Sequence, residues 1–390
     1  MKKKFALAAV AFISTVFLAA CSSPPSVSSS AAGTEIGETF KLGLNFELTG
    51  SVSAYGSAEK KGAMMAVEEL NKAGGINGKK IEVTSKDNKS DNSEAATVAT
   101  SLTTQEKVNA IVGQATSGAT ASAAPSSQLA GVPLVTPSGT TDDLTVTKKG
   151  ETKEYVFRTT FIDSYQGQIL STFASNNLNA KKVVLYYDNS SDYGKGIAKE
   201  FKKHYKGTIV SELAFQSGDT DFQSALTNIK KLDFDAIIMP GYYNETGTII
   251  KQAREMGISQ PIAGPDGFAD AKLIELAGKK NVNDIYYISG FSAASSDKAA
   301  AFAKNYEKKY GEKPSMFAAL AYDSVYMVAK ASENAENSKD IAKALAKLKN
   351  FEGVTGKMTM NSKHNPVKSV PVIGLTNGVE TSSVIVNPDE

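Results

Sequence analysis

The stretch AIVGQATSGATASAAPSSQLAGVPLV, residues 110–135, contains the unit that decides the fold. Its two ends, 110–112 and 132–135, are short apolar runs that predict buried strands, and residues 119–128 between them predict a helix. A strand, a helix and a second strand in this order favour a parallel pair, because parallel neighbours need a long crossover between them. The stretch therefore predicts an α/β fold built around a parallel sheet.

The same alternation continues in both directions along the chain. Upstream, strands are predicted at 39–46 and 80–87, with helices at 63–73 and 94–105. Residues 137–154 have no periodic apolar face and predict a boundary loop. Downstream, strands are predicted at 182–187, 208–215 and 235–239, and helices at 196–205, 222–230 and 246–256. We therefore expect two parallel sheets, each covered by helices on both faces.

Three further helices are predicted late in the chain, at 298–310, 316–333 and 340–349, without strands between them. We expect these helices to return and pack on the first domain. The chain of 390 residues is long enough for two domains of ordinary size, and its hydrophobic content of 41% is typical of a globular protein.

The N-terminus, MKKKFALAAVAFISTVFLAAC, has a basic start and an apolar run that is too short for a stable membrane span. Its last four residues resemble the bacterial lipobox, in which the cysteine receives lipid. Cys21 is the only cysteine of the chain. We therefore predict a lipoprotein signal peptide at 1–20, lipid on Cys21, a flexible Ser/Ala/Pro/Gly-rich tether at 21–38, and an extracytoplasmic location at the cell membrane.

The charge and the catalytic inventory exclude several classes of function. A net charge of +2 gives no electrostatic support for nucleic-acid binding. His204 and His364 are isolated in polar stretches and are expected on the solvated surface, which leaves little for a metal site or a Cys-His pair. Neither G-x-S-x-G nor G-x-x-x-x-G-K-[ST] occurs. We predict a protein that is not an enzyme and that has no cofactor and no metal.

Polar turns follow two strands of the first predicted sheet. Residues 113–118 (GQATSG) and 136–141 (TPSGTT) each begin where a strand ends, at the edge where open parallel sheets place their ligands. Hydroxyl and backbone N–H groups of these turns could converge on an anion, although each turn alone could equally be an ordinary helix cap. Two such turns without a nearby base favour reversible binding of a carboxylate.

Tyrosines and one acid follow strands of the second predicted sheet. Residues 186–194 (YYDNSSDYG) and 241–244 (GYYN) are tyrosine-rich, and residues 264–267 (GPDG) hold Asp266 in a rigid turn. The tyrosines could instead cap the core, and Asp266 could instead form an Asx turn. An acid at this position could pair with an ammonium group.

Seven segments resemble the extracytoplasmic solute-binding proteins of branched-chain amino-acid ABC transporters, and the resemblance runs from about residue 41 to the C-terminus. It implies a periplasmic-binding-protein type I fold, with two doubly wound α/β lobes joined by a three-crossover hinge. The implied lobes are 39–157 with 290–368, and 158–289 with 369–390. The segments are LTGSVSAYG (48–56), LNKAGGINGKKIE (70–82), PLVTPSGTTDDLT (133–145), FRTTFIDSYQG (157–167), DNSSDYGKG (188–196), PGYYNETGTIIKQAREMG (240–257) and GPDG (264–267).

The resemblance also implies roles for residues at matching positions. The hydroxyl of Ser117, and the hydroxyl and N–H of Thr140, would bind a ligand carboxylate. The backbone carbonyl of Ser138 and the carboxylate of Asp266 would bind the ammonium. Asp266 departs from the family, where Glu is frequent, so its contact could be direct or through water. The ligand side chain would meet Ala115 and Thr116, and aromatic walls would come from Tyr55, Tyr193, Tyr242 and Phe317.

By resemblance, the chain is expected to be a monomeric, lipid-anchored binding protein that captures leucine, isoleucine or valine and delivers it to an ABC permease. The order of preference among these and smaller amino acids stays open, because one methylene discriminates by only about 1–3 kcal/mol. Three alternatives remain: a ligand-sensing subunit of a membrane receptor, a binder of a related small amide or amino acid, and an amino-acid amide hydrolase. The last lacks a nucleophile-base pair in the sequence.

Overall fold

The computed structural model of the protein describes residues 31–368 and 370–387. Its first sheet is fully parallel, as the sequence predicts. Three helices connect its first four strands: α1 (Ser53–Lys72), α2 (Asn92–Thr104) and α3 (Ser117–Ala130). The strands are β1 (Phe40–Phe46), β2 (Ile81–Asp87), β3 (Ala110–Gly113), β4 (Leu134–Thr136) and β5 (Val156–Arg158), and they lie in the order β2-β1-β3-β4-β5.

The next part of the chain builds a second sheet from parallel strands. Its strands are β6 (Lys182–Asp188), β7 (Thr208–Phe215), β8 (Ala236–Ile238), β9 (Ile262–Gly264) and β10 (Ile285–Ile288). The helices that pack on it are α4 (Asp163–Thr172), α5 (Asp192–His204), α6 (Gln223–Ile229), α7 (Tyr243–Glu255) and α8 (Ala271–Ala277).

Three consecutive helices then return to the first sheet. They are α9 (Asp297–Tyr310), α10 (Met316–Ala331) and α11 (Ser338–Ala346). Buried side chains of all three helices share one hydrophobic core with β1 and α1, which confirms the predicted return. The contact between α1 and α10 is so close that a methyl group on Gly62 would lie 1.9 Å from the carbonyl oxygen of Ala318.

The last part of the chain adds two further pieces of sheet. A small antiparallel sheet comprises β11 (Phe351–Gly353), β12 (Gly356–Met360) and β13 (Pro366–Val367). Two antiparallel strands, β14 (Pro371–Thr376) and β15 (Val379–Ile385), then extend the second sheet beside β10, giving the order β15-β14-β10-β9-β8-β6-β7. The chain therefore crosses between the two sheets three times: after β5, after β10 and after β13.

Several elements were not predicted from the sequence. The segment that contains β5 begins directly after the predicted loop, and α4, β9, α8, β10 and β11 to β15 were also missed. Most of these strands have two to four residues, which is too short for a periodic pattern to be visible. Among the described residues, no helix is long and apolar enough to cross a membrane.

Two predictions differ from the structure, one about the exposure of a histidine and one about the length of the flexible tether. His364 is buried, because the turn before β13 places its ring on Phe157, with ring centroids 4.1 Å apart. Cys21, the predicted signal peptide and the start of the predicted tether lie outside the described residues. The end of that tether is ordered: Gly33 N–H donates to Ala130, and Thr34 N–H donates to Ser338 Oγ at 2.8 Å, so these backbone groups have fixed partners.

Candidate functional site

A narrow cavity lies where carboxyl ends of strands from the two sheets face each other. The residues that line it are Tyr55, Ala115, Ser117, Ser138, Thr140, Tyr193, Tyr242, Asp266, Gly267 and Phe317. Nine of the ten residues predicted for ligand binding are thus brought together, and Gly267 is added to them.

Ser117 is the first residue of α3 and presents its hydroxyl at the cavity. Its oxygen accepts hydrogen bonds from the N–H groups of Thr140, at 3.1 Å, and Thr141, at 3.2 Å. With both lone pairs engaged, the hydroxyl hydrogen is left to donate to an acceptor in the cavity. The Thr140 N–H, which the family resemblance assigns to a ligand carboxylate, is instead directed to Ser117.

Thr116 is the predicted site residue that does not line the cavity. It caps α3, and its hydroxyl donates to the carboxylate of Glu47 at 2.9 Å. The same carboxylate accepts the backbone N–H groups of Ala115 and Thr116, both at 3.0 Å. Glu47 is fully buried, and burial raises the pKa of its carboxyl despite these hydrogen bonds. Glu47 therefore holds the turn that presents Ala115 and Ser117, and it turns Thr116 away.

A second buried acid, Glu59 of α1, lies behind Ser138. The Ser138 hydroxyl is 2.5 Å from Oε1 of Glu59 and 2.8 Å from the carbonyl oxygen of Ala115. Burial raises the pKa of Glu59 well above its usual range, and the nearby Glu47 adds to this effect. The Ser138 hydroxyl is thus engaged within the protein, which leaves its backbone as the part available to a ligand.

Asp266 supplies the acid on the opposite wall of the cavity. Its Oδ1 accepts a hydrogen bond of 2.5 Å from the Tyr193 hydroxyl, and its N–H donates to Gln166 Oε1 at 2.9 Å. Burial raises the pKa of Asp266 to about 6, although the Tyr193 hydroxyl acts in the opposite direction. Gly267 follows because a side chain there would meet the carbonyl oxygen of Gly241 at 2.6 Å. The result is a buried carboxyl group without a cationic partner among the described residues.

Two pairs of stacked rings form the remaining walls. Tyr55 and Phe317 stack with centroids 4.1 Å apart, and Tyr193 and Tyr242 stack at 4.8 Å. Tyr55 and Phe317 lie at the first turns of α1 and α10, so the packing of these two helices fixes their distance. The rings provide an apolar enclosure between the hydroxyl groups and the acid.

Direct contacts join the two sides of the cavity. The Tyr55 hydroxyl donates to the carbonyl oxygen of Gly267 and accepts the N–H of Tyr243 at 3.1 Å. The Ala54 N–H donates to the Tyr243 hydroxyl at 3.2 Å. Helix α1 covers the first sheet, whereas Gly267 and Tyr243 follow strands of the second. The structure therefore represents a closed arrangement of the two halves.

Sequence reasoning missed four polar residues that support the site: Glu47, Glu59, Arg158 and Gln166. Glu47 directly follows β1, so the rule that placed the other polar residues at strand ends would have identified it. Arg158 and Gln166 lie in the segment FRTTFIDSYQG, which carried the family resemblance but was given no role. Glu59 has no such signal, because a helical glutamate is normally exposed.

Two α/β lobes, three crossovers and a closed cavity between strand ends define a type I solute-binding protein. The profile of the family described as "Periplasmic binding protein" matches residues 39–378. The chain belongs to this family, which confirms the predicted fold class.

Individual relatives agree with this assignment. A Leucine-, isoleucine-, valine-, threonine-, and alanine-binding protein of Pseudomonas aeruginosa is 29% identical over 84% of this chain and 87% of its own. The branched-chain amino acid transporter substrate binding protein LivJ of Streptococcus pneumoniae, solved with isoleucine, is 55% identical, with a TM-score of 0.87 over 90% of this chain and all of its own. The leucine binding protein LivK of Thermotoga maritima is 31% identical, with a TM-score of 0.83 over 90% and 99% of the two chains. The predicted resemblance to binding proteins of branched-chain amino-acid transporters is confirmed.

The raised pKa of Asp266 predicts how pH affects the binding of an ammonium ligand. In the closed arrangement without ligand, burial holds the pKa of Asp266 at about 6, and an ammonium group stabilises only the ionised form. The dissociation constant should therefore be lowest above pH 6 and should rise as pH falls, by up to about tenfold per pH unit. Calorimetry from roughly pH 4.5 to pH 8, on both sides of this pKa, measures the change.

The charged and titratable groups that face Asp266 are Tyr193, Tyr242 and Asp163. Burial raises the pKa of both tyrosines further above the neutral range. Burial also raises the pKa of Asp163, so this acid can add to the same trend. The Asp266→Asn variant separates the effect of Asp266 from that of Asp163, because this variant should lose most of the pH dependence of binding. A variant with the wild-type profile would assign the titration to another group.

Proposed function

We propose that this chain is an extracytoplasmic solute-binding protein that captures a branched-chain amino acid and delivers it to an ABC permease. The observation that carries the proposal is the pairing of a buried acid on one wall with convergent hydroxyl groups on the other. An amino acid is a zwitterion, and burying either of its charges without a partner would cost several kcal/mol. The 55% identity to LivJ, which was solved with isoleucine, supports the ligand class.

Each wall has a defined part in this binding. The Ser117 and Thr140 hydroxyls receive the ligand carboxylate, while the Ser138 carbonyl and Asp266 receive its ammonium. The aliphatic side chain lies against Ala115 and the stacked rings of Tyr55 and Phe317. The proposal leaves the order among leucine, isoleucine, valine and smaller amino acids to measurement.

The two lobes then act as the moving parts. The proposed lobes are residues 39–157 with 290–368, and 158–289 with 369–390, joined by the three crossovers. A ligand that contacts Ser117 on one lobe and Asp266 on the other favours the closed state over the open one. The closed and loaded protein is the form that we propose docks on the permease. The protein has no catalytic step in this scheme.

Calorimetric titration of the folded domain with each of the twenty amino acids tests the ligand class. Leucine, isoleucine or valine should bind, whereas leucine amide and isocaproate, each of which lacks one charge, should bind poorly. A protein that binds none of the aliphatic amino acids would refute the proposal. A sensing subunit would bind the same ligands. Uptake of labelled leucine by cells with and without the protein separates the two functions, because only a transport component is needed for uptake.

The proposed location follows from the LAAC sequence at residues 18–21. Wild-type protein should sediment with membranes, because a diacylglycerol group on Cys21 would supply the two acyl chains that stable anchoring needs. A Cys21→Ser variant should lose lipid attachment, because the thioether forms on the cysteine sulfur. Mass spectrometry of the mature N-terminus measures the lipid directly. Mature protein that starts downstream of Cys21 without lipid would contradict the anchor while leaving the ligand-binding proposal intact.

A further inference from the structure

A buried arginine lies behind the loop that carries Ser138 and Thr140. Arg158 is the last residue of β5, and its side chain is 0% exposed. The chain has only one other arginine, Arg254. A buried guanidinium is destabilising unless hydrogen bonds and an opposite charge compensate it. The groups around Arg158 therefore indicate how its buried charge is compensated.

The guanidinium donates to two backbone carbonyl groups of this loop. The bond to Gly139 is 3.0 Å long and the bond to Thr141 is 2.8 Å long. These residues flank Thr140, so the planar guanidinium fixes the loop from behind. Thr140 itself faces the cavity.

The charge of Arg158 lacks a close counter-ion among the described residues, since its two hydrogen-bond partners are both carbonyl oxygens. The acids in its surroundings are Asp163, Asp142 and Asp143. Burial raises the pKa of Asp163 well above its usual range, which favours its neutral form, and the other two acids are exposed to solvent. Burial lowers the pKa of Arg158 only to about 10, so the guanidinium stays charged at neutral pH.

The geometry of one peptide connects this charge to the cavity. The carbonyl of Gly139 and the N–H of Thr140 belong to the same planar unit and point in opposite directions. Because the carbonyl meets Arg158, the N–H is aimed at Ser117 Oγ, 3.1 Å away. That oxygen accepts two N–H groups, which leaves its hydrogen to donate into the cavity. Bonds aligned in such a chain polarise one another.

We propose that Arg158 is a positioning residue whose positive charge, carried through the 139–140 peptide and the Ser117 hydroxyl, selects ligands that bear a carboxylate. This inference rests on the proposed function and identifies what fixes its anion side. A bound carboxylate supplies the counter-charge that the protein itself does not place next to Arg158. Arg158 acts through the loop and does not line the cavity.

Two variants separate the charge of Arg158 from its hydrogen bonds. Arg158→Gln keeps amide donors but removes the charge, whereas Arg158→Lys keeps the charge but cannot serve both carbonyls in one plane. Each is titrated with leucine by calorimetry and with isoamylamine, which is leucine without its carboxyl group, by NMR. Arg158→Gln should weaken leucine binding roughly 30-fold and isoamylamine binding less than about threefold.

Arg158→Lys keeps the inference testable if Arg158→Gln does not fold. It should lower the preference for leucine over isoamylamine by roughly threefold, since an ammonium aligns only one of the two carbonyls. If the substitution only loosened the loop, the affinities for leucine and for isoamylamine would fall equally, and the preference between them would stay unchanged. An unchanged preference in either variant overturns the inference.

Arg254→Gln is the matched control. Arg254 also donates to backbone carbonyls, those of Ile258, Gln260 and Asn283, but it lies away from the cavity. This variant should lose stability without a change in leucine affinity. If wild-type protein binds no aliphatic amino acid, the proposed function itself is refuted. If wild-type binds leucine and Arg158→Gln binds it equally well, only the role of Arg158 is refuted.

Discussion

Replacing Asp266 by Asn should weaken leucine binding by about 2–5 kcal/mol, because the ligand ammonium would be buried without its charged partner. This range corresponds to a loss of roughly 30-fold to several thousandfold in affinity. The amide keeps the size of the side chain and can still accept from the Tyr193 hydroxyl, so the wall of the cavity stays filled. Calorimetry of wild type and variant measures the loss.

Two comparisons make this result specific to charge. Isocaproate lacks the ammonium group, so Asp266→Asn should penalise leucine far more than isocaproate. Ser117→Ala should cost less than Asp266→Asn, about 1–3 kcal/mol, because the N–H groups of Thr140 and Thr141 become available to the carboxylate. Unchanged leucine affinity in Asp266→Asn would show that this acid is not the partner of the ammonium.

Adding one methyl group at Gly62 should destabilise the fold by about 3 kcal/mol, at the upper end of the usual cost of overpacking. The new Cβ would lie 1.9 Å from the carbonyl oxygen of Ala318, and real Cβ atoms essentially never approach closer than 3.0 Å. A backbone oxygen cannot rotate away, so α1 and α10 must separate. Urea denaturation of Gly62→Ala and wild type measures the difference in the free energy of unfolding.

The Gly62→Ala substitution should also lower the affinity for the ligand. Helices α1 and α10 carry Tyr55 and Phe317, whose rings stack 4.1 Å apart at the cavity. Their separation should therefore weaken leucine binding in the folded Gly62→Ala protein. Gly37→Ala is the control, because Gly37 is exposed and an added Cβ there meets no atom within 4 Å. Equal stability of the two variants would show that the α1–α10 contact can relax.

The fold was predictable where strands and helices have distinct periods. The run AIVG of β3 is wholly buried, and the helix and strand that follow it have clear boundaries. The strand VFR of β5 was missed because it has three residues and ends in a charge, which interrupts an apolar run. Strand β15 forms one edge of the second sheet and is exposed along its length, so no buried face marks it.

The site was predictable in part for a similar reason. Ser117, Ser138 and Asp266 follow strands, and the carboxyl ends of parallel strands meet at one edge. Tyr55 and Phe317 lie at helix starts far apart in the sequence, and only the family resemblance assigned them to the site. Arg158 and Glu47 were overlooked because charged residues are rarely buried without a partner. Their burial becomes visible only when the loops that they hold are placed in space.

The return of α10 to α1 has a consequence for the growing chain. Strands of the first sheet are all synthesised by Arg158, but the face of α1 around Gly62 has no cover until α10 emerges. The second sheet is likewise incomplete until β14 is synthesised and pairs with β10. Domains usually fold as units during synthesis, N-terminal part first. Here neither lobe can bury its full core until the late segments are made, so cooperative folding is postponed until nearly the whole polypeptide is available.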